Sequence, residues 1–244
     1  MSFISEFVAR CIQSWLVGFR SRHGLSAQSA DSIDGSLWAR IVDERLLLHV
    51  GCGHATKDST CSGFQSVGWR EIRLDIDLDA EPDVVCSIVD MVQVPDATVD
   101  AVYSSHNIEH LYPHEVILAL SEFNRVLNLD GFLVLTCPDL QSVCRLVTED
   151  KLIEAAYLSP AGPIAPLDIL YGHRPRLSAG NLFMAHHTGF TLTTLFAALR
   201  EAGFANVMGR RREECFDLWV VASKSHRNNE DMSALAADFL PSIR

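Results

Sequence analysis

The sequence predicts an α/β fold built on a mostly parallel seven-stranded sheet with helices on both faces. Five short apolar runs have the pattern of strands that are buried on both sides. They lie at residues 46–50, 71–76, 83–86, 99–103 and 132–137. Helical patterns separate several of them, which is typical of parallel strands joined by crossover helices. Two C-terminal strands, 206–212 and 216–223, have so short a connection that they are expected to pair antiparallel.

The helices are recognised by apolar residues at intervals of three and four. The clearest pattern spans residues 114–127. Its apolar face consists of Val116, Leu120, Phe123 and Leu127. A later helix is predicted to begin after Thr191, which can act as its N-cap, and to end at Gly203.

Flanking and inserted segments complete the predicted domain organisation. Residues 1–40 are assigned to an N-terminal helical extension, because residues 1–20 form an amphipathic pattern that can pack on the core or on a second subunit in a homo-oligomer. Residues 41–224 form the main domain, and residues 140–185 within it are interpreted as an insertion or lid. Residues 225–244 are assigned to a C-terminal tail, either loose or forming a final helix.

Composition and charge disfavour some classes of binding partner and cellular location. The 244 residues include 31 acidic and 20 basic ones, and the net charge of −11 disfavours nucleic acid as a partner. The seven cysteines include no CxxC pair, which indicates a reducing compartment. No apolar run approaches the roughly 18 residues of a membrane-spanning helix, and no signal peptide is recognised. We therefore expect a cytoplasmic protein without a membrane span.

A glycine loop follows the first predicted strand. Gly51, Cys52 and Gly53 have small side chains, so the backbone there can approach a ligand closely. Asp75 stands 24 residues beyond Gly51, at the end of the second predicted strand. At the carboxyl edge of an open parallel sheet, such an acid can accept hydrogen bonds from both hydroxyls of a ribose. Asp77 is a competing candidate for this role.

These features resemble the class I S-adenosylmethionine-dependent methyltransferases, a Rossmann-like group, and in particular the ubiquinone- and menaquinone-biosynthesis-like enzymes of methyltransferase type 11. The resemblance covers most of residues 45–138 and resumes at about 186–224. The similar segments are LLLHVGCGHA, RLDID, PDVVCSIVDMVQVPDATVDAVYSSHNIEHL, EFNRVLNLDGFLVLTCPD, HHTGF and EAGF. The resemblance implies that S-adenosylmethionine is the cofactor.

The resemblance also assigns the residues that would hold this cofactor. In chain order they are Gly51, Cys52, Gly53, Asp75, Ile76, Ser87, Ile88, Asp90 and Ser104. The glycines of the loop would hold the methionine end, Asp75 would hold the ribose, and Ser87, Ile88 and Asp90 would hold the adenine. Ser104 lies where the sulfonium is expected.

The sequence departs from the usual pattern of this family at three positions. His49 replaces an acid that often stands two residues before the first glycine, and Ala55 occupies the third small position. Ser87 stands where an adenine-contacting acid most often falls. A nicotinamide-binding loop would need Gly or Ala where this chain has Thr56, so a dehydrogenase fits less well.

A group of histidines follows the fourth predicted strand. If a helix begins at His106, then His106, Glu109 and His110 share one face and could hold a divalent metal ion. This is similar to the ExxEH metal site of small-RNA 2′-O-methyltransferases and some quinone-pathway O-methyltransferases, with His186 or His187 as a further ligand. A polar pocket wall and a purely structural role are the alternatives. We assign His106, His110 and His186 as candidate general bases and assign no metal ligand.

The predicted function is transfer of a methyl group from S-adenosylmethionine to a small-molecule or lipid-like acceptor. This is an in-line displacement, in which positioning of the reactants dominates. The departures at His49 and Ser87 leave a non-catalytic cofactor-binding module as one alternative, and a metal-assisted O-methyltransferase is another. An RNA methyltransferase is disfavoured by the net charge of −11.

Overall fold

The computed structural model describes residues 35–242. Within this range the chain from Trp38 onward belongs to one compact unit, which contains every strand and all the α-helices described below. The amphipathic helix predicted at residues 1–20, and the subunit contact expected of it, lie outside the described residues.

The strands form the predicted mixture of parallel and antiparallel pairs. In chain order they are β1 (Arg45–Val50), β2 (Trp69–Asp75), β3 (Val84–Val85), β4 (Val99–Ser105), β5 (Leu127–Pro138), β6 (Tyr157–Ser159), β7 (Gly162–Ile164), β8 (Asn206–Arg212) and β9 (Asp217–Ser223). Seven of them form one sheet in the order β3-β2-β1-β4-β5-β9-β8, and β6 and β7 form a separate hairpin. The first five strands run parallel, and β9 is antiparallel to both β5 and β8. The predicted α/β fold with a C-terminal antiparallel hairpin is confirmed.

The α-helices include the two that the apolar spacing predicts within the main domain. They are α1 (Pro113–Val126), α2 (Leu140–Thr148), α3 (Pro166–Tyr171), α4 (Arg174–Ser178), α5 (Leu192–Glu201) and α6 (Asn229–Phe239). Helix α5 begins after its N-cap Thr191, and Gly203 follows its end with a φ of 92°. Along the described residues, no helix combines the length and apolar character needed to cross a bilayer.

The central strands are buried on both faces. Leu47 of β1, Tyr103 of β4 and Val134 of β5 belong to one apolar cluster, which also contains residues of α6. Their neighbours Leu48 and Val102 are fully buried on the opposite face, because successive side chains of a strand alternate between faces. This explains why the strands read as continuous apolar runs.

The final helix, α6, packs on one face of the sheet. It contacts the short connection between β1 and β2 on that face. Between β1 and β2 the chain forms two 3₁₀ turns and no crossover α-helix. Phe239 of α6 packs against Phe64 in this connection, with 4.6 Å between ring centroids. A Cβ on Gly63 would lie 2.5 Å from the Phe239 ring, so a glycine there allows this approach. Of the two alternatives for residues 225–244, the structure has the final helix.

The segment between β5 and α5 contains the elements of the predicted insertion. Helix α2, the β6–β7 hairpin, α3 and α4 lie within it. Val143, Ile164 and Ile169 form a small apolar cluster that is distinct from the cluster beneath the sheet. The segment therefore packs around an apolar cluster that only Phe216, from the connection between β8 and β9, joins from outside. It lies at the carboxyl end of β5, where parallel α/β sheets bind ligands.

Candidate active site

The loop after β1 has a backbone conformation that favours glycine. Gly51 and Gly53 have φ of 56° and 51°, in the left-handed region where other residues are strained. A Cβ on Gly51 would lie 2.1 Å from Oδ1 of Asn107, whereas a Cβ on Gly53 would meet nothing within 4 Å. Gly51 is therefore needed for packing inside the protein. Gly53 borders open space from which a ligand can approach the backbone.

Asn107 joins the ends of β1 and β4. Its Nδ2 donates hydrogen bonds to the carbonyl oxygen of Val50, at 2.8 Å, and to Oγ of Ser104, at 3.2 Å. Ser104, assigned to the region of the sulfonium, is fully buried and holds this amide in place. Sequence reasoning gave Asn107 no role of its own, because Gly51, the residue that it packs against, lies far earlier in the chain.

Asp75 lies on the other side of the glycine loop. Its Oδ2 accepts a hydrogen bond from the N–H of Gly53 at 2.7 Å, and its Oδ1 accepts one from the N–H of Asp77 at 2.9 Å. A carboxylate offers about four lone-pair sites, so both oxygens can accept a further bond from a ribose hydroxyl. The competing candidate, Asp77, accepts from the N–H of Asp79 as the cap of a 3₁₀ turn. The open space at Gly53 and the remaining lone pairs of Asp75 fit the cofactor that the resemblance implies.

The loop assigned to adenine begins against the end of β2. The N–H of Cys86 donates to the carbonyl oxygen of Asp75 at 3.1 Å. This bond brings Ser87, Ile88 and Asp90, all partly exposed, to the same edge of the sheet as the glycine loop. The structure thus places the residues assigned to ribose and adenine next to each other.

Cys52 and Ile76 complete the set assigned to the cofactor. Cys52 is buried, and its N–H donates to the carbonyl oxygen of Leu74 at 3.3 Å. Burial raises the pKa of the Cys52 thiol to about 11, so it is neutral at physiological pH. Ile76 is half-buried and directly follows Asp75.

His49, the departure from the acid of the family pattern, is a buried residue of the sheet. Its Nδ1 lies 2.7 Å from Oε1 of Glu71 on the neighbouring strand, and its ring packs edge-on against Tyr103 with 5.2 Å between centroids. An acid therefore still lies beside this position, but it comes from β2.

Two of the three predicted histidines meet at the carboxyl end of β4. The rings of His110 and His186 have centroids 4.7 Å apart, and Glu109 lies with them. The Nδ1 of His110 is 3.0 Å from the carbonyl oxygen of Ala185, and the Nδ1 of His186 is 2.8 Å from that of Ile169. A carbonyl oxygen can only accept, so both Nδ1 atoms carry the proton and donate it. In the neutral form of each ring, this leaves the Nε2 lone pair free.

His106 takes a different position. It has a φ of 54°, and its N–H donates to the carbonyl oxygen of Thr136 at 2.9 Å, so no helix begins at this residue. A single 3₁₀ turn, Ile108–His110, follows it. The shared helical face considered for this segment is therefore absent. His106 instead reaches Glu109, with 3.2 Å between Nδ1 and Oε1, and half of its side chain is exposed.

The charges in this group shift the pKa values of its members. Burial acts to raise the pKa of Glu109, but the hydrogen bond and positive charge of His106 outweigh it and lower this pKa. Partial desolvation acts to lower the pKa of His106, but Glu109 outweighs it and raises the pKa. Burial lowers the pKa of His186 from its ordinary value of 6.5, although Glu109 opposes this. At neutral pH His186 is therefore an uncharged imidazole beside a carboxylate.

A cavity of about 230 Å³ adjoins this group. Its polar wall includes Glu109 and His186, and its other walls come largely from the inserted segment. The apolar lining residues are Pro138, Leu140, Val143, Ile169, Leu170 and Tyr171. His187, the other candidate for a metal ligand, lies at the rim and stacks on Tyr112 with 4.2 Å between centroids. The cavity therefore combines one polar end with apolar walls, as small-molecule sites commonly do.

Comparison with known protein families finds a match for the segment that contains the glycine loop. Residues 48–135 match the family model described as a methyltransferase domain. This range includes the glycine loop, Asp75 and the turn with Glu109 and His110. No curated protein matches the chain.

Solved structures are similar to the chain at low sequence identity. The PH0226 protein of Pyrococcus horikoshii is 15% identical with a TM-score of 0.50, over 84% of this chain and 90% of that one. A 1,6-didemethyltoxoflavin-N1-methyltransferase of Burkholderia thailandensis, solved with 1,6-didemethyltoxoflavin and S-adenosylhomocysteine, is 16% identical with a TM-score of 0.48, over 93% and 92%. A SAM-dependent methyltransferase of Archaeoglobus fulgidus is 17% identical with a TM-score of 0.46, over 73% and 86%.

Proposed function

Residues 48–135 match the model of a methyltransferase domain, and from this match we propose that the chain is a methyltransferase whose small-molecule acceptor is held in the cavity beside Glu109 and His186. Under this proposal the methyl donor is S-adenosylmethionine, which the resemblance of the glycine loop and Asp75 supports. The proposed acceptor site rests on one observation: the rings of His110 and His186 contact each other at the end of β4. His110 follows closely on Asn107, which packs against Gly51 of the glycine loop.

The proposed cofactor site uses the carboxyl ends of the first three strands. The backbone at Gly53 would face the methionine end, and the free lone pairs of Asp75 would accept the ribose hydroxyls. Ser87 to Asp90 would border the adenine. The bound cofactor supplies an electrophilic methyl group on a sulfonium. The protein's own contribution is to fix the direction from which an acceptor can reach that methyl group.

The acceptor is proposed to be a small molecule with an apolar body and one nucleophilic group. The apolar walls would hold the body, and the polar end at Glu109 and His186 would hold the nucleophile. In the transfer, an acceptor lone pair forms a bond to the methyl carbon while the carbon–sulfur bond breaks and its electron pair stays on sulfur. The proton that the acceptor loses would pass to Nε2 of His186, which is free and neutral.

The inserted segment would determine which acceptors enter. Residues 140–185 supply Leu140, Val143 and the residues around Ile169 to the cavity wall, and they carry a separate apolar cluster. A surface with a net charge of −11 also favours a small acceptor over a nucleic acid. We propose that changes in this segment alter acceptor preference without altering cofactor affinity.

Methyl transfer from isotopically labelled S-adenosylmethionine tests this function. The full-length chain would be incubated with a panel of phenols, catechols, aliphatic alcohols, amines and hydroxylated lipids, and label in the acceptor would be counted beside S-adenosylhomocysteine formation. Label in at least one acceptor is expected, and at limiting S-adenosylmethionine Asp75→Ala should transfer less of it. Tight binding of S-adenosylhomocysteine without transfer to any acceptor class would instead favour the non-catalytic cofactor-binding module.

A further inference from the structure

Three potential metal ligands converge beside the cavity. Glu109, His110 and His186 each place a ligand atom within 4.8 Å of the others. Glu109 comes from the turn after β4, whereas His186 comes from the segment before α5, so the fold and not local sequence brings them together. Only 1% of Glu109 is exposed, and its Oε2 is buried without a hydrogen-bond partner.

The hydrogen bonds around the two imidazoles leave acceptors and no donors at the centre of this group. The Nδ1 atoms of His110 and His186 donate outward to the carbonyl oxygens of Ala185 and Ile169. The two Nε2 lone pairs and Oε2 of Glu109 are then the atoms that remain. His110 and His186 are partly exposed, but Oε2 of Glu109 is buried, and a buried acceptor without a donor is unfavourable unless a cation or a proton lies beside it.

The surrounding bonds have the form that metal sites use. Histidines that bind metals usually donate their other ring N–H to a carbonyl or carboxylate, which fixes the tautomer and the orientation of the ring. Both histidines do so here, and His106 holds the other oxygen of Glu109 at 3.2 Å. Each of the three candidate ligands is therefore oriented by a second group.

We propose that Glu109, His110 and His186 bind one divalent transition-metal ion, with a coordination position open to the cavity. Two imidazoles and one carboxylate are a common ligand set for catalytic zinc, which keeps a further position for water or substrate. Magnesium is a poorer match, because it prefers oxygen ligands in an octahedral arrangement. The ligand set differs from the one that helical spacing suggests, since His106 orients Glu109 and is not itself a ligand.

The proposed ion narrows the acceptor class, an inference that rests on the proposed function. A hydroxyl oxygen that occupies the open position would have its pKa lowered by the ion, so its proton leaves to solvent before the oxygen attacks the methyl carbon. Alcohols and phenols are then favoured over amines, whose lone pairs are nucleophilic without such help. With the ion bound, Nε2 of His186 is a ligand, so solvent replaces it as the proton acceptor that the metal-free site would use.

Metal binding can be measured without any acceptor. The full-length chain, with any polyhistidine tag removed, would be stripped with a chelator, and Zn²⁺ binding would be followed by calorimetry and elemental analysis. About one Zn²⁺ per chain is expected. Glu109→Gln and His186→Gln should weaken binding by more than about 100-fold, and His106→Gln by about 10- to 100-fold, because it removes only an orienting bond. The adjacent exposed His187→Gln is the matched control and should keep full Zn²⁺ affinity.

The outcomes separate this inference from the proposed function. Binding of S-adenosylhomocysteine by each variant would show that it is folded, and X-ray absorption of the wild-type zinc complex needs no variant. Sulfur ligands in that spectrum, no Zn²⁺ binding, or equal binding by His186→Gln and wild type would overturn the metal site. Methyl transfer that persists in the metal-free chain would reject the ion's catalytic role and leave the methyltransferase function intact. Zn²⁺ binding without methyl transfer would do the reverse.

Discussion

The cofactor end and the acceptor end of the proposed active site are built in different ways. At the cofactor end, Gly51, Gly53 and Asp75 are placed by backbone conformation and by the ends of parallel strands. At the acceptor end, side chains from distant segments meet, and His110 is separated by 75 residues from Ala185, the carbonyl that orients its ring. The cofactor end is thus a property of the sheet, and the acceptor end depends on where the inserted segment docks.

The two ends also differ in how completely their polar groups are bonded. Both oxygens of Asp75 accept hydrogen bonds from backbone N–H groups. Oε2 of Glu109 is buried without a partner, a condition that costs about 1–3 kcal/mol for a polar group, and more for a charged one. The cofactor end is therefore complete as folded, whereas the acceptor end is completed by what binds there.

The largest effect that separates the two ends is expected for His186→Ala. Loss of the group that activates the acceptor should lower turnover by about 10²- to 10⁴-fold, while the affinity for S-adenosylhomocysteine stays unchanged. Steady-state kinetics with an acceptor from the panel and calorimetry with S-adenosylhomocysteine measure the two quantities. A parallel fall in both would show that the ends are not separate. The neighbouring His187→Ala controls for general disturbance of the segment.

Asp75→Ala should produce the opposite pattern, with a smaller effect. Removal of the ribose acceptor is expected to weaken S-adenosylhomocysteine binding by about 1–3 kcal/mol, or roughly 10- to 100-fold. Zn²⁺ binding should be unchanged, because Asp75 touches none of the three proposed ligands. Asp77→Ala is the matched control, since its carboxylate caps a 3₁₀ turn. Equal losses of affinity in the two variants would contradict the assignment of Asp75.

Within the cofactor end, alanine substitutions at Gly51 and Gly53 are expected to have different effects. Both have positive φ, so an alanine at either position should cost about 1–2 kcal/mol of unfolding free energy. Gly51→Ala should cost more, because its Cβ would displace Asn107 and break the bonds to Val50 and Ser104. Gly53→Ala should instead mainly weaken S-adenosylhomocysteine binding, since its Cβ enters open space.

Denaturant unfolding and calorimetry measure this pair of effects. A double variant with Asn107→Ala would isolate the contact, because Gly51→Ala should lose most of its additional cost when the amide is gone. Identical stabilities of the two single variants would show that Asn107 moves aside freely. In that case the contact with Asn107 is not the reason that residue 51 is a glycine.

The difference between local and long-range placement of residues also explains what could be predicted from the sequence. Continuous apolar runs, the glycine loop and the short C-terminal connection predicted the sheet, because each depends on neighbouring residues. The left-handed conformation of His106 was not predicted, since it is imposed by a bond to Thr136 on β5. The sequence predicted His186 as a candidate base but left the further metal ligand open between His186 and His187, because that choice depends on which ring faces Glu109 after the segment docks.

The smallest effect is expected at Asp168, a buried residue of the inserted segment. Its carboxylate accepts hydrogen bonds from Nε of Arg174 at 2.6 Å and from the N–H of Ala165 at 2.9 Å. Arg174 is the main reason that the pKa of Asp168 falls from 3.8 to about 2. Because the folded-state pKa is the lower one, the ionised carboxylate adds stability that is complete above pH 3.8 and is lost as the pH falls toward 2.

Asp168→Asn should therefore lower local stability by about 1 kcal/mol at neutral pH and should abolish the dependence on pH in that acidic window. Because the segment has a core separate from the cluster beneath the sheet, the loss should be confined to it. Hydrogen exchange would then accelerate in β6, β7 and α3, while β1 and β4 keep their protection. The affinity for S-adenosylhomocysteine should also be unchanged. Equal acceleration in β1 and β4 would mean that the segment and the sheet open as one cooperative unit. The acceptor end would then be part of the same structural unit that holds the cofactor.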